Sequence, residues 1–182
     1  MCGIFGSYSN LLNPKEIDSL MRARDTLSHR GPDSSGYWIC PEHKLFLSHR
    51  RLAIIDLSSA GQQPMHSSSG RLTIVFNGEI YNFKELMPEL AQHSQLPQDC
   101  GDTAVMLAAF EAYGVEKAIS KFCGMFAFAL WDAKEQSLTL ARDRAGEKPL
   151  YYGWSAGKFL FSSEPRAFAA ALSEGLELNY SA

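Results

Sequence analysis

The chain has 182 residues, 46% hydrophobic and 20% charged, with a formal net charge of -3. That is enough for one domain with a buried core and too little for two large ones. Its 17 lysines and arginines are scattered and its longest apolar run, Met125 to Trp131, is far short of a membrane span, so neither a nucleic-acid nor a membrane partner is expected.

The N-terminus has no positive segment leading into an apolar one, so it does not read as a secretory signal, and a cytoplasmic location is the default expectation. There Cys2, Cys40, Cys100 and Cys123 are expected as thiols. Cys40 and His43 have a ligand-like gap, but no second pair matches it and no metal site is expected.

In chain order, Gly3 to Tyr8 reads as a strand and Ser9 to Pro14 as a turn. Asn13, Pro14 and Glu16 form a helix start, and Ile17, Leu20, Met21 and Leu27 follow near helical spacing. Tyr37 to Ile39, Leu45 to Ser48, Leu52 to Ile55 and Leu72 to Phe76 read as strands, with Ser58 to Gly70 a long surface loop. Phe83 to Gln92 is predicted helical, with Pro88 a candidate break. Asp102 is placed to cap a helix in which Met106, Ala109, Phe110 and Tyr113 share a face, and Gly114 to end it.

Phe126, Phe128 and Leu130 point one way from their strand, and Ala127, Ala129 and Trp131 the other. Both faces are apolar, as they are at Ile74, Val75 and Phe76. Asp132 to Gln136 is turn-like and Leu138 to Ala141 continues at once, which makes a hairpin and a largely antiparallel sheet. An antiparallel sheet apolar on both faces needs cover above and below. The expected fold class is therefore α+β: two sheets face to face, with helices from near both ends of the strand set supplying one outer layer each.

Cys2 opens the run Met1-Cys2-Gly3-Ile4-Phe5-Gly6. With Met1 removed, one residue carries a thiol and a free α-amine. A thiol needs a base to become a good nucleophile, and a terminal amine titrates at about 8, close to a free thiol's about 8.5, so it can serve as that base. Read alone, Cys2 is a small apolar residue at a strand start.

Asn77-Gly78 after the strand ending at Phe76 is either a hairpin turn or a pair of donors, side-chain amide and backbone N–H, able to hold an oxyanion. Arg51, at the start of the predicted strand Leu52 to Ile55, is either a solvated edge charge or a two-pronged clamp for a carboxylate. Asp102 is either a helix cap or a partner for a substrate ammonium group.

Together these residues resemble the glutaminase domain of the class II, N-terminal-nucleophile glutamine amidotransferases, in their asparagine-synthetase-like branch. The motifs are CGIFG at Cys2 to Gly6, HRGPDSSG at His29 to Gly36, RLAIID at Arg51 to Asp56, QQPM at Gln62 to Met65, NGEIYN at Asn77 to Asn82, GMFAFALWD at Gly124 to Asp132 and RDRAGEKPLYY at Arg142 to Tyr152. All occur in order, which is far more specific than any one.

The resemblance implies a four-layer αββα sandwich, the N-terminal nucleophile hydrolase fold, with residues 1–172 as the glutaminase domain and 173–182 as the start of a linker. It implies attack by Cys2 on the glutamine side-chain amide, an oxyanion held by Asn77 and Gly78, and a thioester that water hydrolyses. It implies that Arg51 takes the substrate α-carboxylate, that Glu79 and Asp102 lie around its α-amino group, and that the backbone of Ile54 and Ile55 lines the pocket. His29, Arg30 and Asp33 have no chemical role in that scheme and are read as shaping a loop. Arg142, Asp143, Arg144 and Lys148 are read as a structural ion-pair cluster.

Gly101-Asp102-Thr103-Ala104 departs from the branch's usual Ser-Asp-Thr-Glu but keeps the aspartate, and Ser163-Glu164-Pro165-Arg166 departs mildly from Ser-Glu-aliphatic-Lys. No Ser-Gly-Gly-x-Asp-Ser loop for ATP pyrophosphate is present, so no cofactor is expected in this domain, and ATP and magnesium only in a covalently linked synthetase domain. The expected partners are glutamine and that domain, with a homodimer possible. The alternative reading is a non-catalytic glutamine-binding or scaffolding module of a larger amidotransferase.

Overall fold

A computed structural model describes residues 1–9, 12–42, 44–53, 61–92, 96–97 and 100–172. Ile54, Ile55, His43, residues 58–60 of the predicted loop from 58 to 70 and the predicted linker lie outside the described residues. The elements are β1 (Gly3–Ser9), α1 (Pro14–Asp25), β2 (Ser34–Cys40), β3 (Leu45–Arg51), β4 (Met65–His66), β5 (Leu72–Ile80), α2 (Phe83–Leu90), α3 (Asp102–Tyr113), α4 (Val115–Lys121), β6 (Gly124–Asp132), β7 (Ser137–Arg142), β8 (Tyr151–Ser155), β9 (Lys158–Ser162) and α5 (Arg166–Ala171).

Local chemistry accounts for many boundaries. The Asn13 side chain accepts from the Glu16 N–H at 2.9 Å, and Pro14 occupies the first turn of α1, where a missing N–H costs nothing. Gly114 takes φ 77, a left-handed conformation cheap only for glycine, and there α3 stops and α4 begins. Pro88 falls in the last turn of α2 and the helix ends two residues later. The N-cap of α3 is Gly101; Asp102 is the first helical residue and not the cap expected.

The strands form two antiparallel sheets, one in the order β2-β3-β1-β9-β8 and one in the order β4-β5-β6-β7. The alternation along β6 fixes how they stack. Phe126, Phe128 and Leu130 join Ile74, Phe76, Met106 and Phe110 in a core between the four-stranded sheet and α2 to α4. Ala127, Ala129 and Trp131 join Val75, Ile4, Leu47 and Phe161 in a second core between the sheets. A third, around Phe5, Leu20, Phe46 and Leu160, lies between the five-stranded sheet and α1 with α5. Each fully buried large side chain removed from water in these layers contributes about 1.5–3 kcal/mol before entropy is counted. The result is the expected four-layer αββα sandwich. The outer layers differ in origin from the expectation: the first and last helices, α1 and α5, share one, and the mid-chain helices form the other.

Two strand expectations also change. The strand predicted over Leu52 to Ile55 does not begin there; β3 ends at Arg51, and Leu52 and Ala53 lie outside it. The strand predicted to end at Phe76 runs on through Asn77 and Gly78 to Ile80, paired with β6 throughout. No described helix is long and apolar enough to cross a membrane.

Candidate active site

Antiparallel pairing sets Gly3 against Arg50, which brings the start of β1 beside the end of β3. Cys2 is therefore next to Arg51 and Leu52, although the two segments are far apart in sequence. The Leu52 nitrogen lies 3.5 Å from the Cys2 sulfur. The Cys2 carbonyl accepts from Arg30 Nε at 2.9 Å, and Arg30 Nη1 donates to Glu164 Oε1 at 3.0 Å. Arg30 thus does more than shape a turn, because it grips the peptide unit of the cysteine itself. Asp33 accepts from the Ala53 N–H at 2.7 Å and its own N–H donates to the Arg51 carbonyl at 3.0 Å, which ties down the chain just past β3.

The facing wall comes from the other sheet. Val75, Asn77 and Glu79 share one face of β5, the face turned toward the five-stranded sheet. Asn77 is 1% exposed, and its Nδ2 is buried without a hydrogen-bond partner. A buried donor left open is costly in a folded protein and calls for an explanation.

Gly78 pairs with Phe126, whose own N–H and carbonyl are engaged by Asp143 on the β7 side. Strand alternation therefore turns the Gly78 N–H away from β6, toward the edge that the two-residue β4 leaves uncovered. A Cβ on Gly78 would lie 2.3 Å from the Met125 carbonyl oxygen. The glycine is needed for the close approach of β5 and β6.

Asp102, at the start of α3, accepts from the Ile80 N–H at 3.0 Å and the Thr103 N–H at 2.8 Å. Burial pushes its carboxyl above the usual aspartate range, with the charge of Glu79 adding to the rise and the two backbone bonds opposing it. His49 is 1% exposed and pushed down to about 3, chiefly by burial, with a smaller contribution from Arg51 and an opposing one from its bond to Phe76. It is a neutral ring.

Cys2, Arg51, Asn77, Gly78, Glu79 and Asp102 all line one cavity of about 330 Å³. His49, Gln63, Thr103, Met125 and Lys148 line it as well. Sequence reasoning missed these five as site residues, and a single histidine or lysine within a strand or turn carries no local signal that could have found them. The sequence pattern puts Lys148 in an ion-pair cluster instead. Among the described residues no ion pair joins it to Asp143 or joins Asp143 to Arg142 or Arg144; Asp143 accepts the backbone N–H groups of Phe126, Glu147 and Lys148. A larger, shallower hollow of about 560 Å³ at the far end of β1, around Tyr8, Trp131 and Trp154, contains none of the candidate residues. Among the described residues no group of three His, Cys, Asp or Glu side chains is placed to hold a metal ion.

The arrangement presents a thiol from one sheet, the unpartnered Asn77 amide and the edge-directed Gly78 N–H from the other, a guanidinium and two carboxylates, all lining one small space. It suits a zwitterionic amino acid with a reactive carbonyl at its far end. A family model described as a glutamine amidotransferase domain matches residues 1–182. The chain is 38% identical over 180 residues to amidase chry2 of Gibberella zeae, a match that covers 93% of the chain and 26% of that protein. It is 39% identical to the glutamine-hydrolyzing asparagine synthetase 3 of Bacillus subtilis and 40% identical to the glutamine-hydrolyzing asparagine synthetase of Zea mays, covering 93% of the chain and 28% of each relative. The chain thus spans about a quarter of the length of these curated relatives. Among solved structures it is similar to the glutamine phosphoribosylpyrophosphate amidotransferase of B. subtilis, with a TM-score of 0.74 and 21% identity over 93% of this chain and 43% of that one, which is a likeness of fold.

Proposed function

The chain belongs to the glutamine amidotransferase domain family, and from that premise we propose that it hydrolyses glutamine to glutamate and ammonia with Cys2 as nucleophile. Met1 is 56% exposed, open to an aminopeptidase, and its removal frees the α-amine of Cys2. The sulfur then attacks the side-chain amide carbon while its proton passes to that amine. The carbonyl oxygen gains negative charge and moves toward Asn77 Nδ2 and the Gly78 N–H. As the tetrahedral intermediate collapses, the C–N bond breaks, the amine returns the proton, and ammonia leaves. Water attacks the thioester, and glutamate departs with the thiol restored.

Arg51 is assigned the α-carboxylate, Asp102 and Glu79 the α-ammonium, and the backbone at Ile54 and Ile55 the pocket wall. The carboxylates suit that assignment, because an ammonium bound there stabilises the ionised form of Asp102, which burial alone disfavours.

The observation that carries the proposal is the unpartnered Nδ2 of Asn77, buried in the same cavity as Cys2. A donor left open in the free protein costs nothing to reorganise when charge develops, which is what an oxyanion site requires. The greater length of the relatives supports a second proposal, that the ammonia passes to a linked synthetase domain that alone needs ATP and magnesium, in a cytoplasmic protein, with asparagine synthesis the model reaction. The direct test is glutamate release from glutamine by Met1-free protein beside Cys2→Ala. Release by the first alone is expected, and equal release by both would end the assignment.

A further inference from the structure

The short edge strand β4 pairs only with Thr73 and Ile74, so among the described residues no strand pairs with β5 on that side from Phe76 onward. Two side chains take its place. The Phe76 N–H donates to Gln63 Oε1 at 2.6 Å, and the Phe76 carbonyl accepts from His49 Nε2 at 3.1 Å. The same residue of β5 is thus held at both of its edge-facing groups, immediately before Asn77. The next backbone donor along that edge is the Gly78 N–H.

His49 also spans the two sheets. It stands on β3 opposite Ile4, in the sheet that carries Cys2, and its ring reaches a carbonyl of the sheet that carries Asn77 and Gly78. On β3 it lies two residues before Arg51, so both side chains project to the same side of the strand, toward the cavity they both line.

We propose that His49 and Gln63 are positioning residues that stand in for the missing edge strand at Phe76 and set the separation between the Cys2 sulfur and the oxyanion donors Asn77 and Gly78. Neither touches the reacting atoms. The inference rests on the reading of Cys2 as nucleophile and of Asn77 and Gly78 as donors. It differs from an ordinary core role in what it governs. A histidine that only filled space would be replaced well by an apolar residue of similar volume, whereas a strut needs its donor.

The test uses Met1-free protein and compares His49→Leu, His49→Gln and Gln63→Leu. Three readings are taken on each: kcat and KM for glutamine hydrolysis, the rate of Cys2 alkylation by iodoacetamide, and the thermal midpoint. Alkylation needs the thiol but not the oxyanion donors. His49→Leu and Gln63→Leu are expected to lower kcat by about tenfold or more, with KM and alkylation within about threefold of the parent. His49→Gln, which keeps an N–H donor, is expected to recover most of kcat.

Unchanged kcat in folded His49→Leu overturns the inference. So does a fall in alkylation parallel to the fall in kcat, which would place the effect on the nucleophile. Failure of His49→Gln to recover more than His49→Leu overturns it too. If His49→Leu does not fold, Gln63→Leu decides, and loss of folding in both assigns the pair to the core and overturns it. Parent protein that releases no glutamate, or Cys2→Ala that releases as much as the parent, defeats the functional reading instead, before the variants are compared.

Discussion

The sulfur of Cys2 rests against the main chain of Leu52, 3.5 Å from its nitrogen and 3.8 Å from its carbonyl oxygen. One residue can therefore meet both states of the sulfur, the carbonyl accepting from the thiol and the N–H donating to the thiolate. Leu52 lies outside the described strands, and Asp33 restrains it through the Ala53 N–H. Replacing Asp33 with alanine is expected to slow both Cys2 alkylation and glutamine hydrolysis about tenfold. Stopped alkylation time courses measure the first, and an unaltered alkylation rate would show that Leu52 is held by other means.

Asn77→Ala and Gly78→Ala should separate chemistry from fold. The Asn77 amide nitrogen has no partner to lose. Its deletion is expected to change unfolding free energy by no more than about 1 kcal/mol while lowering kcat by about 10²- to 10³-fold. Urea unfolding and steady-state kinetics on the same preparation check both halves.

Gly78→Ala carries the opposite signature. Its new methyl would lie 2.3 Å from the Met125 oxygen and 2.7 Å from the Phe126 Cα, both backbone atoms that cannot swing aside. Gly124 has the mirror problem, with a methyl 2.2 Å from the Glu79 oxygen. Either alanine is expected to cost about 1–3 kcal/mol in urea unfolding as β5 and β6 are forced apart. An unchanged midpoint would mean that the strands slide freely.

Acid should destabilise the protein in a way that traces to three carboxylates and the buried His49. Asp132 is held below its ordinary 3.8 first by its hydrogen bonds from Arg71. At Asp143 burial pushes upward but the backbone N–H groups of Glu147, Lys148 and Phe126 outweigh it, and at Glu164 burial is outweighed by His29 and Arg30. At these three carboxylates the folded protein binds fewer protons than the unfolded chain, while Asp102, raised by burial, acts in the opposite sense. The stabilisation is complete above the unfolded values and disappears as pH falls through the lower folded ones. Thermal midpoints are expected to begin falling below about pH 6.5, where the unfolded chain starts to protonate His49, which burial holds neutral down to about 3, and to drop more steeply below about pH 4.5 as the carboxylates follow. Arg71→Ala should lower the midpoint at neutral pH and make the acid-side drop shallower.

Much of the architecture is legible because alternation is a strong signal. The phenylalanines at 126 and 128 and the alanines at 127 and 129 specify a strand covered on both faces, and two such strands imply the layered sandwich. The motif residues Cys2, Arg51, Asn77, Gly78, Glu79 and Asp102 all line one cavity. Asn77-Gly78 is ambiguous locally because a turn and a closely paired strand both favour glycine, and only its pairing with Ala127 and Phe126 on the neighbouring strand decides it. Arg51 reads as the first residue of a strand because the apolar run follows it, yet Asp33 ties down the start of that run outside any strand. His49, Gln63 and Lys148 matter through what the tertiary fold sets beside them, which no local pattern encodes.

The first strand lies in the middle of its sheet, with β3 on one side and β9 on the other. Polypeptide ends ordinarily fray and exchange their amide protons within moments of dilution into heavy water. Here Ile4 and Phe5, two and three positions from the thiol, should be among the slowest amides in the molecule. The reactive end thereby borrows the stiffness of the interior.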